Sequence, residues 1–328
     1  MRSTTSTLAL AILLAVAVPA ANPACREAIE QGLAKSQLAN AALFDGQAHD
    51  VLVAADVVLT RAERQGADDM LGEIASGVAM GGIYACLGLA LVMIYVSTDH
   101  INFAQGEMAM FSTYLSWQLM TWGVSFWVAF IIAVALSFVM GVLIERLILR
   151  PLHNAPVLSI IVVFIGLLAI FNSMAGAFWS YLIKEFPSPF PKADFGIAGV
   201  IGPHQLGVVL VTLIVLGLLF VFFRYTPLGL AMRAAAQNPQ MARLVGVRVD
   251  WMLALGWGLA ASIGAVAGIM VAHIVYLDPN MMGGILLYAF ASALVGGISN
   301  PAGAVAGGFI VGILENMVAY AGNQIEKA

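Results

Sequence analysis

An all-α, polytopic membrane fold of about eight transmembrane helices is predicted by three features of the sequence. Of its 328 residues, 61% are hydrophobic and only 10% are charged, whereas a soluble domain is about half apolar and a quarter charged. The mean hydropathy is +0.95. The apolar residues fall in long unbroken runs rather than short alternating segments, which is the pattern of α-helices and not of an outer-membrane barrel. The net charge of −4 says little, because charges in such a chain are partitioned by side.

Taken in order, residues 1–24 read as a signal-peptide-like segment. Arg2 supplies the charged start, Leu8 to Val18 the short apolar stretch, and Ala17, Ala20 and Ala21 the small residues of a cleavage site. An uncleaved anchor is the alternative. Cys25 follows Ala24, but Asn22 and Pro23 make a poor lipidation site. Residues 25–70 are rich in alanine and charge and read as a short, soluble, helical extension, small for an independent core. A transmembrane domain occupies 71–328. Its spans are expected at 73–96, 104–122, 125–145, 156–176, 205–223, 251–274, 283–297 and 302–320.

Orientation follows from the arginines. Arg146 and Arg150 mark one loop; Arg224, Arg233, Arg243 and Arg248 mark another. Both are expected on the cytoplasmic side. Two spans separate them, so parity agrees. Counting back places residue 70 outside, where a cleaved signal peptide would also leave residues 25–70, so that extension is expected in the periplasm. Trp122, Trp127 and Trp179 then fall at the outer interface and Trp251 at the inner one. Small residues mark close helix approach: Gly77 with Gly81, Gly303 with Gly307, and Gly308 with Gly312 are GxxxG steps. The segment 293–308, broken at Gly296-Gly297 and Asn300-Pro301, reads as a tight turn between spans or as a discontinuous span lining a cavity.

The loop from Arg224 to Asp250 predicts two short helices. Thr226 is a capping residue and Pro227 suits a first turn. Asn238-Pro239 repeats the signal, and Gly246 suits a left-handed exit. On its residues alone this is either a surface gripped by a cytoplasmic partner or a solvated basic loop that sets orientation. A second polar stretch, Ser97 to Tyr114, carries Asp99, His100, Asn102, Gln105, Gly106 and Glu107 beside apolar sequence. Such groups are costly at a membrane unless paired or facing water. Asn102, Gln105, Gly106 and Glu107 read either as the lining or gate of a transport path, or as a polar helix start with Asp99 or Asn102 as cap and Glu107 near the positive helix end.

Three segments together resemble the permease subunits of ABC importers for branched-chain amino acids, to which urea and amide permeases are similar. These are Ile101 to Met110 (INFAQGEMAM), Thr226 to Val247 (TPLGLAMRAAAQNPQMARLVGV) and Gly296 to Glu315 (GGISNPAGAVAGGFIVGILE). The resemblance covers about residues 71 to 320 in the family's order. It implies a permease with no ATPase of its own, partnered by ABC ATPase subunits, a second permease subunit and a periplasmic solute-binding protein in the bacterial inner membrane. It also implies that Arg233, Ala234, Asn238, Pro239, Met241, Arg243 and Gly246 form the loop that docks on the ATPase. The family usually starts near the equivalent of Met70. It usually continues through one more apolar span, where this chain reads Glu326-Lys327-Ala328. By parity that ending falls outside, unless the last two expected spans are one.

Several functions are disfavoured. No GxxxxGK[ST] motif is present, so ATP is not bound in that way. No metal-ligand spacing, cofactor motif, nucleic-acid-binding pattern or HExxH constellation appears. His153, His204 and His273 are scattered near loops, and the sixteen methionines read as packing residues. Asp99, Glu107, Glu145, Asp278 and Glu315 are all expected near span ends, which leaves no ion relay inside the membrane. With the resemblance, the expected function is movement of a branched-chain amino acid or similar neutral or zwitterionic solute, driven by a separate ATPase. The rivals are a urea or amide permease and a passive facilitator, which would show a pair of half-helix motifs.

Overall fold

The computed structural model describes residues 47–98, 100–152, 155–190 and 202–327. The signal-like segment, Cys25, the first part of the extension, Asp99, His153, Lys192 and Asp194 lie outside the described residues. Among the described residues there are ten α-helices and no strand beyond a single bridge between Lys184 and Leu277. The helices are α1 Gln47–Thr98, α2 Gln105–Thr121, α3 Phe126–Ile144, α4 Val157–Trp179 and α5 Pro203–Tyr225. They continue with α6 Pro227–Gln237, α7 Pro239–Leu244, α8 Val249–Val275, α9 Met282–Gly296 and α10 Pro301–Lys327. A π-helical turn, Glu145–Leu149, prolongs α3. Residues 75–316 form one compact unit; 47–74 and 317–327 are helical.

Among the described residues, six segments are long and apolar enough to cross a membrane: Asp69–Val96, Phe126–Leu152, Val157–Trp179, Pro203–Tyr225, Val249–Val275 and Pro301–Asn323. This is an all-α, multi-pass membrane protein. The other two expected spans form as α2 and α9 but contain 17 and 15 residues. At 1.5 Å per residue they reach about 26 and 23 Å, short of the hydrocarbon thickness of about 30 Å.

α1 and α8 are the buried centre: their apolar windows are 89% and 72% buried, against 17–28% for the other four long spans. Those four keep an apolar outer face, as a lipid-facing helix must. Close packing rests on small residues, because lipid offers no hydrophobic drive for helices to associate. Gly77 and Gly81 of α1 lie against Gly308, Phe309, Gly312 and Ile313 of α10, and Gly308 in turn meets Ala85. These are two of the GxxxG steps read in the sequence. Gly264 and Gly268 of α8 form a further step, unrecognised there, that receives Gln105, Ala109 and Thr113 of α2. Gly296 and Gly303 approach so closely that a methyl group on either would overlap the other's backbone, and Gly297 has φ +94°. Segment 293–308 is thus a tight turn between two separate helices.

The helix ends sort into two sets. At the arginine end, Arg150 and Arg243 both donate to Asp250, at 2.9 and 3.1 Å, and the Arg146 guanidinium stacks 3.4 Å over Trp251. At the opposite end Lys184 and Leu277 exchange backbone hydrogen bonds, Trp179 donates to Gln118 at 2.8 Å, and His204 and His273 pack with ring centroids 4.5 Å apart. The two arginine loops therefore share one end, as parity requires. Trp122 and Trp127 are exposed, but Trp179 is drawn inward against Tyr114.

Candidate translocation and docking sites

The start of α2 lies deep in the helical layer. Gln105 Nε2 donates to the carbonyl of Ala260 at 2.9 Å, and Ala260 is near the middle of α8. From there α2 climbs past Gly268 to Gln118 and Trp179 at the opposite end. α9 runs the other way. Its first turn, at Met282 and Leu286, lies against Gly106, and further along Ala289 and Ser292 meet Gly88 in the arginine half of α1. Two half-length helices thus bring their N-termini together inside the layer, each preceded by non-helical chain. Irregular backbone at that depth is tolerated where it is buried in protein or lines a cavity. The sequence reading found no such pair. From the sequence alone α2 and α9 are expected to be ordinary spans, with 293–308 as the one candidate break.

The four path residues expected from the sequence are gathered here. Asn102 and Gln105 are fully buried, and Asn102 Nδ2 donates to Gln105 Oε1 at 3.3 Å. Asn102 Oδ1 accepts from the Ala104 amide at 3.0 Å, a local turn that ends the non-helical lead-in. It does not cap α2, whose N-cap is Ala104, with no side-chain cap. Gly106 is the contact to α9. Glu107 is only 8% exposed, with Oε2 unpartnered among the described residues. The expectation that every acid sits near a span end is corrected at two positions. Glu107 shares the interior depth of Gln105, and Glu315 accepts from Tyr84 at 2.6 Å, in the middle of the span Asp69–Val96. Helix α2 starts at the depth of Ala260, which is why Glu107 lies inside.

The residues expected to dock on a partner occupy a helix pair at the arginine end. Thr226 Oγ1 accepts from the Gly229 amide at 3.0 Å and donates to the Phe222 carbonyl at 2.7 Å. Asn238 Oδ1 accepts from the Met241 amide at 3.0 Å, and Gly246 leaves α7 with φ +83°. Each local feature read from the sequence is present. Gly229 lies hard against the backbone of Phe222 and Phe223, which fixes α6 to the end of α5. Ala235 and Ala242 pack with Val249 and Leu253 of α8. Arg233, Arg243 and Met241 project outward, as do Leu244 and Val245, which are 80% and 78% exposed and were not singled out in the sequence. Ala234 and Pro239 form part of the framework on which these side chains stand.

Beside α6 is a cavity of about 540 Å³. Its wall combines Met93 of α1, Leu219 and Arg224 of α5, Arg233 of α6, Gly256 of α8 and Asn300 before α10. A displacement of α6 therefore changes a space shared with four long helices. No group of three potential metal ligands occurs among the described residues.

Comparisons with known proteins identify the family. Residues 73–328 match the family described as the permease component of branched-chain amino acid transport systems. The chain is similar to the high-affinity branched-chain amino acid transport system permease protein LivH of Salmonella typhimurium. The two are 30% identical over 262 residues, covering 75% of this chain and 84% of the relative. LivH of Escherichia coli matches to the same extent. The corresponding permease BraD of Pseudomonas aeruginosa is 27% identical over 262 residues, covering 75% and 85%. No solved structure matches.

Proposed function

The chain belongs to the family of permease components of branched-chain amino acid transport systems, and from that premise we propose that it is the membrane-spanning subunit of an ATP-driven importer of these amino acids or a similar small zwitterion. It works by alternating access, in partnership with separate ABC ATPase subunits, a second permease subunit and a periplasmic solute-binding protein. The arginine end faces the cytoplasm of an inner membrane, and the opposite end, with residues 25–70, faces the periplasm. These sides follow the arginine bias of short loops.

The observation that carries this reading is the capped α6–α7 pair with its outward arginines and exposed Met241, Leu244 and Val245. Apolar residues with flanking positive charge, projecting beyond the ends of the spans, are suited to a protein partner and not to water. Nucleotide-driven closure of two ATPases would move this pair. Because Thr226 and Gly229 fix α6 to α5, and Ala235 and Ala242 fix the pair to α8, the movement passes to the spans. The packed half-helix starts, with Asn102, Gln105, Gly106 and Glu107, are the gate that such a movement opens. Since two acids lie inside the layer, the need for a motor rests on the family and the missing nucleotide motif, not on an absence of internal charge. The paired half-helices also suit a facilitator, but a facilitator has no use for the α6–α7 surface. The test is leucine uptake into vesicles carrying the complete complex, with and without ATP. Uptake that requires ATP supports the motor; uptake that runs equally without it identifies a facilitator.

A further inference from the structure

Glu107, Phe111, Tyr114 and Gln118 lie four, three and four residues apart, on one face of α2. That face meets α4. Phe111 packs on Phe171 and Trp179 with centroids 5.4 and 5.5 Å apart, and Tyr114 stacks on Trp179 at 5.0 Å. Gln118 receives the indole N–H of Trp179 at the outer end. At the inner end of this stripe stand Glu107, Asn172 and the lead-in to α9. Asn172 Nδ2 donates to the Pro279 carbonyl at 2.9 Å and to Asn280 Oδ1 at 3.1 Å. Asn172 and the like charge of Asp278 act on the Glu107 carboxylate. Asp278 acts on the Tyr114 hydroxyl as well.

Two polar atoms of this cluster have no hydrogen-bond partner among the described residues: Glu107 Oε2, on a side chain 92% withdrawn from solvent, and the hydroxyl of fully buried Tyr114. Buried polar atoms are rarely left in that state. The positive ends of α2 and α9 explain why acids are tolerated there, but they do not satisfy those two atoms. No Lys or Arg pairs with Glu107 or Asp278 among the described residues. The cation of this region, Lys184, lies 4.9 Å over the Trp117 ring instead. The cluster is thus rich in carboxylate oxygens, has no Lys or Arg paired to it among the described residues, and is walled by aromatic rings.

We propose that Glu107, Asp278 and Asn172 form the subsite that receives the α-ammonium group of an amino acid on its way inward, with Phe111, Phe171 and Trp179 facing its side chain. An ammonium group has three donors, enough to satisfy the free carboxylate oxygen and Asp278 together. Rings offer it attraction through their faces and apolar contact to the aliphatic chain. The inference rests on the importer reading and adds the chemistry by which the cargo is held.

The test uses the complete transport complex in detergent and in vesicles. Dicyclohexylcarbodiimide modifies carboxyl groups in apolar surroundings, and its addition to Glu107 is read by peptide mass spectrometry. Leucine is expected to slow that modification severalfold, while 4-methyl-2-oxopentanoate, which has the same side chain and no ammonium group, leaves it unchanged. In uptake, Glu107→Gln and Asp278→Asn are each expected to raise the KM for leucine about tenfold or more, with ATPase association retained. Equal protection by the two compounds, no protection by leucine, or a wild-type KM in both variants overturns the subsite. If Glu107→Gln fails to assemble, the labelling of wild type and the Asp278→Asn variant decide. Failure of the wild-type complex to take up leucine at all is a different result: it overturns the amino-acid importer reading, and this subsite with it.

Discussion

Arg150 and Asp250, a hundred positions apart, are joined by a 2.9 Å hydrogen-bonded ion pair that ties the turn after α3 to the start of α8. Arg243 of α7 joins the same carboxylate at 3.1 Å. The pair is half exposed, so its energy is small, about 1 kcal/mol or less. Its value is positional. Asp250→Asn is expected to leave the unfolding temperature in detergent almost unchanged. ATP-dependent uptake should fall, because α7 is no longer anchored to α3 and α8. An equal loss of stability and uptake would contradict this.

The caps of the helix pair give a sharper expectation. Thr226→Ala and Asn238→Ala each remove a side-chain acceptor from a helix start, a loss of about 1 kcal/mol. Amide hydrogen exchange in residues 227–244 should quicken in both variants, while exchange in α8 stays slow. ATPase stimulation by the loaded binding protein should drop with it.

Close helix approach predicts where bulk is not tolerated. Leucine at Gly81 or Gly312 would overlap backbone of the facing helix, whereas the position of Gly217 is open. Gly81→Leu and Gly312→Leu are expected to destabilise by about 1–3 kcal/mol or to prevent folding. Gly217→Leu should behave as wild type. Size-exclusion profiles and thermal unfolding of the three variants check this.

Gln105 anchors the start of α2 at the depth of Ala260. Gln105→Leu removes that buried bond at a cost of about 1–2 kcal/mol. It should slow leucine uptake severalfold with ATPase co-purification unchanged. Unaltered uptake would take Gln105 out of the gate.

These expectations mark what could be read in the sequence. Thr226, Asn238 and Gly246 act on neighbours within four residues, so their roles are written locally and the structure contains them as read. The glycine steps at 77–81 and 308–312 are local patterns too, although their mutual pairing is not. The depth of Glu107 is different in kind. It depends on Gln105 meeting Ala260, 155 positions away, and on α2 starting inside the layer instead of at its edge. A 17-residue apolar helix looks like a span until its partner is known. For the same reason the meeting of Asn172, Tyr114 and Asp278 is not legible, because nothing in their spacing brings α4, α2 and the lead-in to α9 together. Leu244 and Val245 were overlooked because apolar residues in an apolar chain read as core; only their exposure sets them apart.

The central claim is that the α6–α7 pair docks on an ATPase. The most direct measurement is co-purification of this chain from membranes with its ABC ATPase subunits, comparing wild type with the variant Arg233→Glu, Leu244→Asp. Both residues project from the pair, and neither is in an ion pair among the described residues, so the variant should insert and fold. The predicted result is that wild type retains the ATPase and the variant loses it. Retention of the ATPase at wild-type levels by a folded variant would contradict the docking account.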